Sequence, residues 1–202
     1  MLETIGNRGF VVKIATDMPA GRYKHKFGGL PQGVEKWAVP KCVNCQHPLH
    51  LFFQIDLRDP QFGRSDSLLR YIYIFNCLNC DSYREPLFYR IDAEGAGIKI
   101  LAQAEADHFG AFPPVLPEDG IIFEAMGRRR SHEQQRKHQF GGRPFRGRDA
   151  VRPNCVVCGK PMPFVAQVDS DDTLGIMFGD MGLLYAFVCE GCRVFATFMH
   201  CR

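Results

Sequence analysis

The sequence contains two Cys-x-x-Cys knuckles, Cys42-Val43-Asn44-Cys45 and Cys77-Leu78-Asn79-Cys80, and repeats them as Cys155-Val156-Val157-Cys158 and Cys189-Glu190-Gly191-Cys192. The sequence numbers of matching cysteines differ by 155 − 42 = 113 for the first knuckle and by 189 − 77 = 112 for the second. Each knuckle places two sulfur atoms on one tight turn, as a tetrahedral zinc ion requires. The spacing therefore predicts a duplicated, zinc-ribbon-like unit with one metal site in each copy.

The repeat extends beyond the cysteines to turn-forming and polar residues. It pairs Phe27-Gly28-Gly29-Leu30-Pro31 with Phe140-Gly141-Gly142-Arg143-Pro144, Gln54 with Gln167, and Tyr73 with Tyr185. The paired glycines predict a tight turn with positive φ. The two glutamines are compatible with a polar site at the repeat interface, or with buried amides that satisfy backbone groups.

The distance between the knuckles of one copy predicts which cysteines share a metal. The intervening stretch runs from Gln46 to Asn76 in the first copy and, at almost the same length, from Gly159 to Val188 in the second. That length accommodates two strands and a connection, so both knuckles of a copy return to one end of a sheet. Pairing across the copies is the alternative. We expect two structural zinc ions with the ligand sets Cys42, Cys45, Cys77 and Cys80, and Cys155, Cys158, Cys189 and Cys192.

Composition predicts a globular, cytoplasmic protein. The 202 residues are 46% hydrophobic and include 17 Phe, enough for a sizeable core. The N-terminus lacks the apolar segment of a secretory signal, and no apolar run approaches the roughly 20 residues of a membrane span. Nine cysteines in such a chain favour metal ligation over a secreted disulfide scaffold.

Zinc binding also changes the net charge. The formal charge of +3 counts every cysteine as neutral. Two four-cysteine sites remove eight protons and add two dications, so that +3 − 8 + 4 = −1 for the metal-loaded chain. This excludes nucleic-acid binding through an overall basic character.

Apolar runs of strand length predict a mainly β protein with few short helices, built as a duplicated antiparallel unit. We expect a short helical turn over 102–108 and a short helix over 131–139. The first repeat unit is assigned to residues 1–95, a connecting segment to 96–130 and the second unit to 131–202, together one pseudo-symmetric domain. The predicted strands span residues 9–16, 49–55, 68–75, 83–91, 98–101, 121–124, 164–168, 183–188 and 194–199.

The segment from Met126 to Arg152 carries a local charge of +7, with nine basic residues against Glu133 and Asp149. Such a segment suits an acidic protein surface or RNA, or provides solubility and ion pairs. As candidate partner-binding residues we select Arg128, Arg129, Arg130, Arg136, Lys137, Phe140, Arg143, Phe145, Arg146 and Arg148.

No catalytic motif accompanies the cysteines. The sequence has no nucleophile elbow, no HExxH and no Walker motif. A zinc ion with four thiolate ligands has no open position for water, so the predicted sites are structural. We therefore expect a protein without enzymatic activity.

The succession Phe-Gly-Gly-x-Pro, Pro-x-Cys-x-x-Cys, Gln-x-Asp and Tyr-x-Phe-x-Cys-x-x-Cys resembles two families over the greater part of each half. One comprises the bacterial YwqG-like proteins, and the other is the eukaryotic programmed-cell-death-2 family of ribosomal-protein chaperones. Both resemblances imply protein binding rather than catalysis. The first implies an immunity protein that binds a cognate polymorphic toxin, and the second a chaperone for a ribosomal or other nascent protein. RNA binding by the basic segment is a further alternative.

Overall fold

The computed structural model describes residues 9–15, 23–32, 39–63, 67–80, 85–92, 97–108, 110–126, 138–145 and 152–200. Within these ranges the chain forms eleven β-strands, two short 3-10 helices at Pro60–Phe62 and Asp172–Leu174, and no α-helix. The strands are β1 (Gly9–Ala15), β2 (Lys26–Phe27), β3 (His50–Asp56), β4 (Tyr71–Asn76), β5 (Leu87–Ile91), β6 (Ile98–Ala102), β7 (Asp119–Ala125), β8 (Gln139–Gly141), β9 (Phe164–Asp169), β10 (Leu183–Cys189) and β11 (Val194–His200).

All eleven strands join one curled, antiparallel sheet in the order β4-β3-β2-β7-β1-β8-β9-β10-β11-β5-β6. The run β2-β3-β4 on one side corresponds to β8-β9-β10 on the other, as the repeated motifs require. The prediction of a mainly β fold with a duplicated antiparallel unit is confirmed.

The two copies exchange their leading strands at the centre of the sheet. Strand β1 lies before the repeated motifs of the first copy but pairs with β8 of the second, with Phe10 opposite Phe140. Strand β7 precedes the second copy but pairs with β2 of the first, with Phe27 opposite Asp119. β1 and β7 also pair with each other along most of their length. Each copy is therefore completed by a strand from the other half of the sequence.

The curl of the sheet brings strand β4 against β5 and β11. The Tyr89 hydroxyl on β5 accepts a hydrogen bond from the Phe75 N–H at 3.0 Å and donates to the Tyr73 carbonyl at 2.8 Å. Thr197 on β11 donates to the Phe75 carbonyl at 2.8 Å. These side chains satisfy buried backbone groups of a strand that has a strand neighbour on one side only.

Aromatic residues fill the core between the copies. Every residue of β3 and β4 is buried, as their continuous apolar sequences predict. Phe52 of the first copy packs against Phe178 of the second with ring centroids 5.3 Å apart. Tyr89 stacks on Phe195 at 5.4 Å. A second, smaller cluster includes Phe88, Tyr185 and Phe187 together with Cys155.

The Phe-Gly-Gly-x-Pro turns have the predicted left-handed backbone, with φ of 65° and 66° at Gly28 and Gly29 and of 67° and 70° at Gly141 and Gly142. This conformation favours glycine because a Cβ atom clashes with the neighbouring carbonyl oxygen. The turns end β2 and β8, two short strands that the sequence pattern did not predict.

The repeated glutamines and tyrosines hold the residue that follows each of these turns. Gln54 accepts a hydrogen bond from the Gln32 N–H at 2.7 Å, and Gln167 accepts one from the Phe145 N–H at 2.9 Å. The hydroxyls of Tyr73 and Tyr185 donate to the carbonyls of Gln32 and Phe145. Since both glutamines are fully buried, the structure favours the interpretation that they satisfy backbone groups.

The predicted strands agree with the observed ones to within a few residues, but the helical turn over 102–108 is wrong. Ala102 ends β6, and residues 103–107 follow in an irregular, non-helical conformation. Hydrogen bonds between this stretch and the first knuckle, made by Gln103 and Ala104, hold it instead. Of the helix predicted over 131–139, residues 131–137 lie outside the described residues, and Gln139 begins β8.

The described residues contain no helix with the length and apolar character that crossing a membrane requires.

The turn geometry predicts a large difference between two glycine substitutions. A Cβ atom at Gly28 lies 1.8 Å from the Pro117 carbonyl oxygen, whereas one at Gly63, with a similar φ of 62°, meets nothing within 4 Å. Gly63→Ala should reduce the free energy of unfolding by about 1 kcal/mol through backbone strain alone. Gly28→Ala should add a steric cost of about 1 to 3 kcal/mol. Denaturant unfolding measures both, and equal losses would contradict the close contact.

Candidate metal centres

The first knuckle of each copy is built by the same local turn. In the first copy the Cys42 carbonyl accepts a hydrogen bond from the Gln46 N–H at 2.9 Å, and in the second Cys155 accepts one from Gly159 at 2.8 Å. Gln46 and Gly159 occupy the same position after the second cysteine and have φ of 61° and 71°. The turn presents both sulfur atoms of the knuckle on one side.

The second knuckle of each copy follows a buried strand. Strand β4 ends at Asn76, immediately before Cys77, and Cys189 is the last residue of β10. The first knuckles precede β3 and β9, which pair with β4 and β10 in antiparallel register. Both knuckles of a copy therefore lie at the same end of one strand pair.

The structure brings the eight predicted cysteines into two groups, each within one copy. The Sγ atoms of each group all lie within 4.8 Å of one another. Three of the Sγ–Sγ distances are 3.8 Å between Cys42 and Cys80, 3.6 Å between Cys45 and Cys77, and 3.7 Å between Cys158 and Cys189. A tetrahedron with Zn–S bonds of about 2.3 Å has edges of about 3.8 Å. The two groups therefore fit two structural zinc ions, and pairing across the copies is excluded for these eight residues.

The same distances exclude disulfides, which require an S–S bond of about 2.05 Å. In the first site, a hydrogen bond from the Cys77 thiol lowers the pKa of Cys42 to about 4, against the effect of burial. The same hydrogen bond raises the pKa of Cys77. Burial raises the pKa of Cys80 to about 12. Raised pKa values at Cys77 and Cys80 beside the lowered one at Cys42 show that these thiolates disfavour one another, and four thiolates require a divalent ion to offset their repulsion.

In the second site, too, the pKa of one thiol is lowered and that of another is raised. The Lys160 backbone N–H lowers the pKa of Cys158 to about 7, while burial raises the pKa of Cys189 to about 12. A bound zinc ion would remove these protons and hold both knuckles of the copy together. With all four positions taken by sulfur, such an ion is structural.

The two sites differ in exposure. In the first site Cys42, Cys77 and Cys80 are buried and Cys45 is half-buried. In the second only Cys155 is buried, Cys189 and Cys192 are half-buried, and Cys158 is exposed. The first site therefore lies inside the fold, and the second at its surface.

One side chain that the cysteine pattern did not reveal accounts for part of this difference. Gln103 donates a hydrogen bond from Nε2 to the Cys42 Sγ at 3.0 Å and accepts one from the Val43 N–H at 3.1 Å. An amide donor to a thiolate stabilises its charge and fixes the ligand. Gln103 follows β6 and is not part of the repeated motif, so no sequence signal marked it.

His25 and His138 occupy matching positions in the two copies and make a matching pair of contacts. His25 accepts a hydrogen bond at Nδ1 from the Asp56 N–H at 3.1 Å, and its Nε2 lies 2.9 Å from Asp59. His138 accepts one from the Asp169 N–H at 3.0 Å. Burial lowers the pKa of His25, and its ring packs among aromatic residues. Each histidine directly precedes β2 or β8 and ties the start of that strand to the end of β3 or β9.

The structure places the predicted partner-binding residues in different environments. Phe140 is wrong as a contact residue, because its side chain is 0% exposed in the core beneath the sheet. Phe145 is half-buried against the smaller core cluster, and Arg143 is exposed. The remaining seven, Arg128, Arg129, Arg130, Arg136, Lys137, Arg146 and Arg148, lie outside the described residues.

Comparison with known proteins gives one short match. The chain is 36% identical over 59 residues to an uncharacterized protein, YpfL, of Salmonella typhimurium. The match covers 29% of this chain and only 14% of the length of that relative. No family model matches the sequence.

The unequal exposure predicts stepwise loss of metal. The purified chain should contain two zinc ions, and a chelator should remove the ion of the second site faster because its ligands reach the surface. Cys158→Ser should abolish the fast phase of release, and Cys45→Ser the slow one, as followed with a chromogenic zinc indicator. Circular dichroism on the same samples should show that loss of the slow ion unfolds the chain. A single phase of release would contradict the asymmetry.

The contact of Gln103 with the first site predicts a specific loss of zinc affinity. Gln103→Glu retains an acceptor for the Val43 N–H but removes the donor to the Cys42 sulfur and adds a negative charge. We expect zinc affinity of the first site to fall by about 10- to 100-fold, measured by competition with a chelator of known affinity. The second site is the internal control, since its affinity should not change.

Proposed function

We propose that this chain is a non-enzymatic, cytoplasmic protein-binding protein whose zinc ions fix its structure, and that it acts as a bacterial immunity protein that neutralises a cognate toxin. The main support for the proposal of protein binding is the set of apolar side chains exposed beside the second zinc site. Val156 and Val157 are 50% and 54% exposed at the tip of its first knuckle. Exposed apolar groups on a rigid support are typical of protein interfaces.

A third exposed apolar residue is held near the same site. Leu68 is 65% exposed, and its N–H donates to the Glu190 carboxylate at 3.0 Å. Ser67 donates to the same oxygen at 2.7 Å. Glu190 lies within the second knuckle, so the ion of that site supports apolar residues from both copies.

The assignment to toxin neutralisation is supported by the resemblance of the repeated motifs to the YwqG-like proteins. An immunity protein requires a stable scaffold and a binding surface rather than a catalytic centre. Two closed four-cysteine sites on a continuous β-sheet meet this requirement. Exposed Arg143 and the arginines around it in sequence would then contact an acidic surface of the toxin.

A capture experiment with a growth assay tests the proposal. A tagged chain is recovered from cells of its source at moderate salt after nuclease treatment, and the captured protein is expressed alone and together with the chain. We expect one partner that stops growth when expressed alone and permits it when co-expressed. A captured protein without toxicity would contradict the immunity role. Loss of all bound material on nuclease treatment would indicate RNA binding, which should also weaken steeply with salt.

A further inference from the structure

Two exposed histidines lie together beside the first zinc site. The rings of His47 and His108 have centroids 6.1 Å apart and an interplanar angle of 40°. The two residues are distant along the chain, since 108 − 47 = 61, so the fold rather than the local sequence brings their rings together. Neither histidine belongs to the four-cysteine ligand set of that site.

Each of these histidines is anchored to one knuckle of the site. The His47 carbonyl accepts a hydrogen bond from the Cys42 N–H at 2.8 Å. His108 pairs with Cys80 of the other knuckle in an isolated antiparallel bridge. A zinc ion that joins the two knuckles therefore also fixes the separation of the two histidine backbones.

The second copy shows that the turn itself does not require a histidine. Lys160 occupies the place of His47, since 47 + 113 = 160. Its carbonyl accepts the corresponding hydrogen bond from the Cys155 N–H at 2.8 Å, and its side chain is exposed like that of His47. The imidazole of His47 is thus not needed to build the turn, and it is accessible to a ligand.

The ring of His108 is oriented by the second knuckle of the site. Its Nδ1 atom lies 2.9 Å from the Asn79 carbonyl oxygen, and since a carbonyl can only accept a hydrogen bond, Nδ1 carries the proton. The neutral ring then has its free lone pair on Nε2. A histidine that binds a metal through one ring nitrogen almost always donates its other N–H to a group of this kind. His108 therefore has the tautomer and the support that are typical of a metal ligand.

The separation of the rings and the charge beneath them both suit a divalent cation. With metal–nitrogen bonds of about 2.1 Å, the centroids of two imidazoles that share one ion lie about 5 to 6.5 Å apart. Four thiolates with one zinc ion carry a net charge of 2 − 4 = −2, which attracts a further cation. Imidazole nitrogen is a suitable ligand for zinc, nickel and copper.

We propose that His47 and His108 form a third metal site, which binds a divalent transition-metal ion such as zinc through one nitrogen of each ring. Two protein ligands leave the other coordination positions to water, so this ion exchanges readily, whereas the ions of the cysteine sites are structural. Lys160 removes one ligand from the corresponding place in the second copy, so the site belongs to the first. The proposal does not depend on the proposed function, because it requires no partner protein.

Isothermal titration calorimetry of Zn²⁺ into the full chain that already holds two zinc ions tests this site. We expect one further equivalent to bind saturably and more weakly than the first two. His47→Lys introduces the residue that the second copy has at this place, so the turn should form normally. This variant should lower the affinity for the third ion at least about tenfold, because loss of even an outer-shell partner costs that much.

A second variant separates metal ligation from a structural role of His108. His108→Asn retains an N–H donor for the Asn79 carbonyl but removes the Nε2 atom, so it should also lower the affinity for the third ion. His200→Ala is the control for binding by any accessible histidine, because His200 is half-buried on β11. It should leave the titration unchanged. A zinc content of two per chain after gel filtration shows that the cysteine sites of each variant are intact.

Imidazole ¹⁵N NMR of the unaltered chain identifies the ligands directly. On addition of the third equivalent of Zn²⁺, the ring-nitrogen resonances of His47 and His108 should shift together, and those of His200 should not. Absence of saturable binding, unchanged affinity in both variants, or shifts confined to other histidines would overturn the proposal. An equal loss of affinity in His200→Ala would overturn it as well, because the third ion would then be bound adventitiously.

Discussion

Four sulfur atoms held within 4.8 Å of one another form the constraint on which each half of the structure depends. Their thiolates repel one another, so the arrangement is stable in charged form only around a divalent cation. That cation joins the chain before one strand to the chain after its antiparallel partner. The second knuckle follows β4 or β10 directly, and only a short stretch (46–49 or 159–163) separates the first knuckle from β3 or β9. The metal therefore helps to fix the register of β3 with β4 and of β9 with β10.

The residues that repeat along the sequence were the ones that could be predicted. The metal ligands, their grouping and most strand positions follow from spacing and apolar pattern, since both are local properties. The interpretation of Gln54 and Gln167 needed the structure, because only the fold shows that the atoms they reach are backbone groups of the turns.

What could not be predicted depends on contacts between distant, unrepeated residues. Gln103 reaches Cys42 across 61 positions, and nothing in its own sequence context distinguishes it from a surface glutamine. Phe140 illustrates the opposite error. Its position in a basic, glycine-rich stretch resembled a binding segment, but β8 is an internal strand between β1 and β9, which places this side chain in the core. The helical turn over 102–108 failed because tertiary hydrogen bonds outweigh a weak local preference.

The exchange of leading strands has a consequence for synthesis on the ribosome. Strand β1 is made early, but its partners β7 and β8 come from the far half of the sequence, with Val11 opposite Gln139, a separation of 139 − 11 = 128 in sequence number. At a translation rate of roughly 5 to 20 residues per second, the apolar side chains of β1 remain without these partners for about 6 to 26 seconds. The first cysteine group, complete at Cys80, is translated well before then. The order of translation therefore allows metal capture in the first half to precede closure of the central sheet.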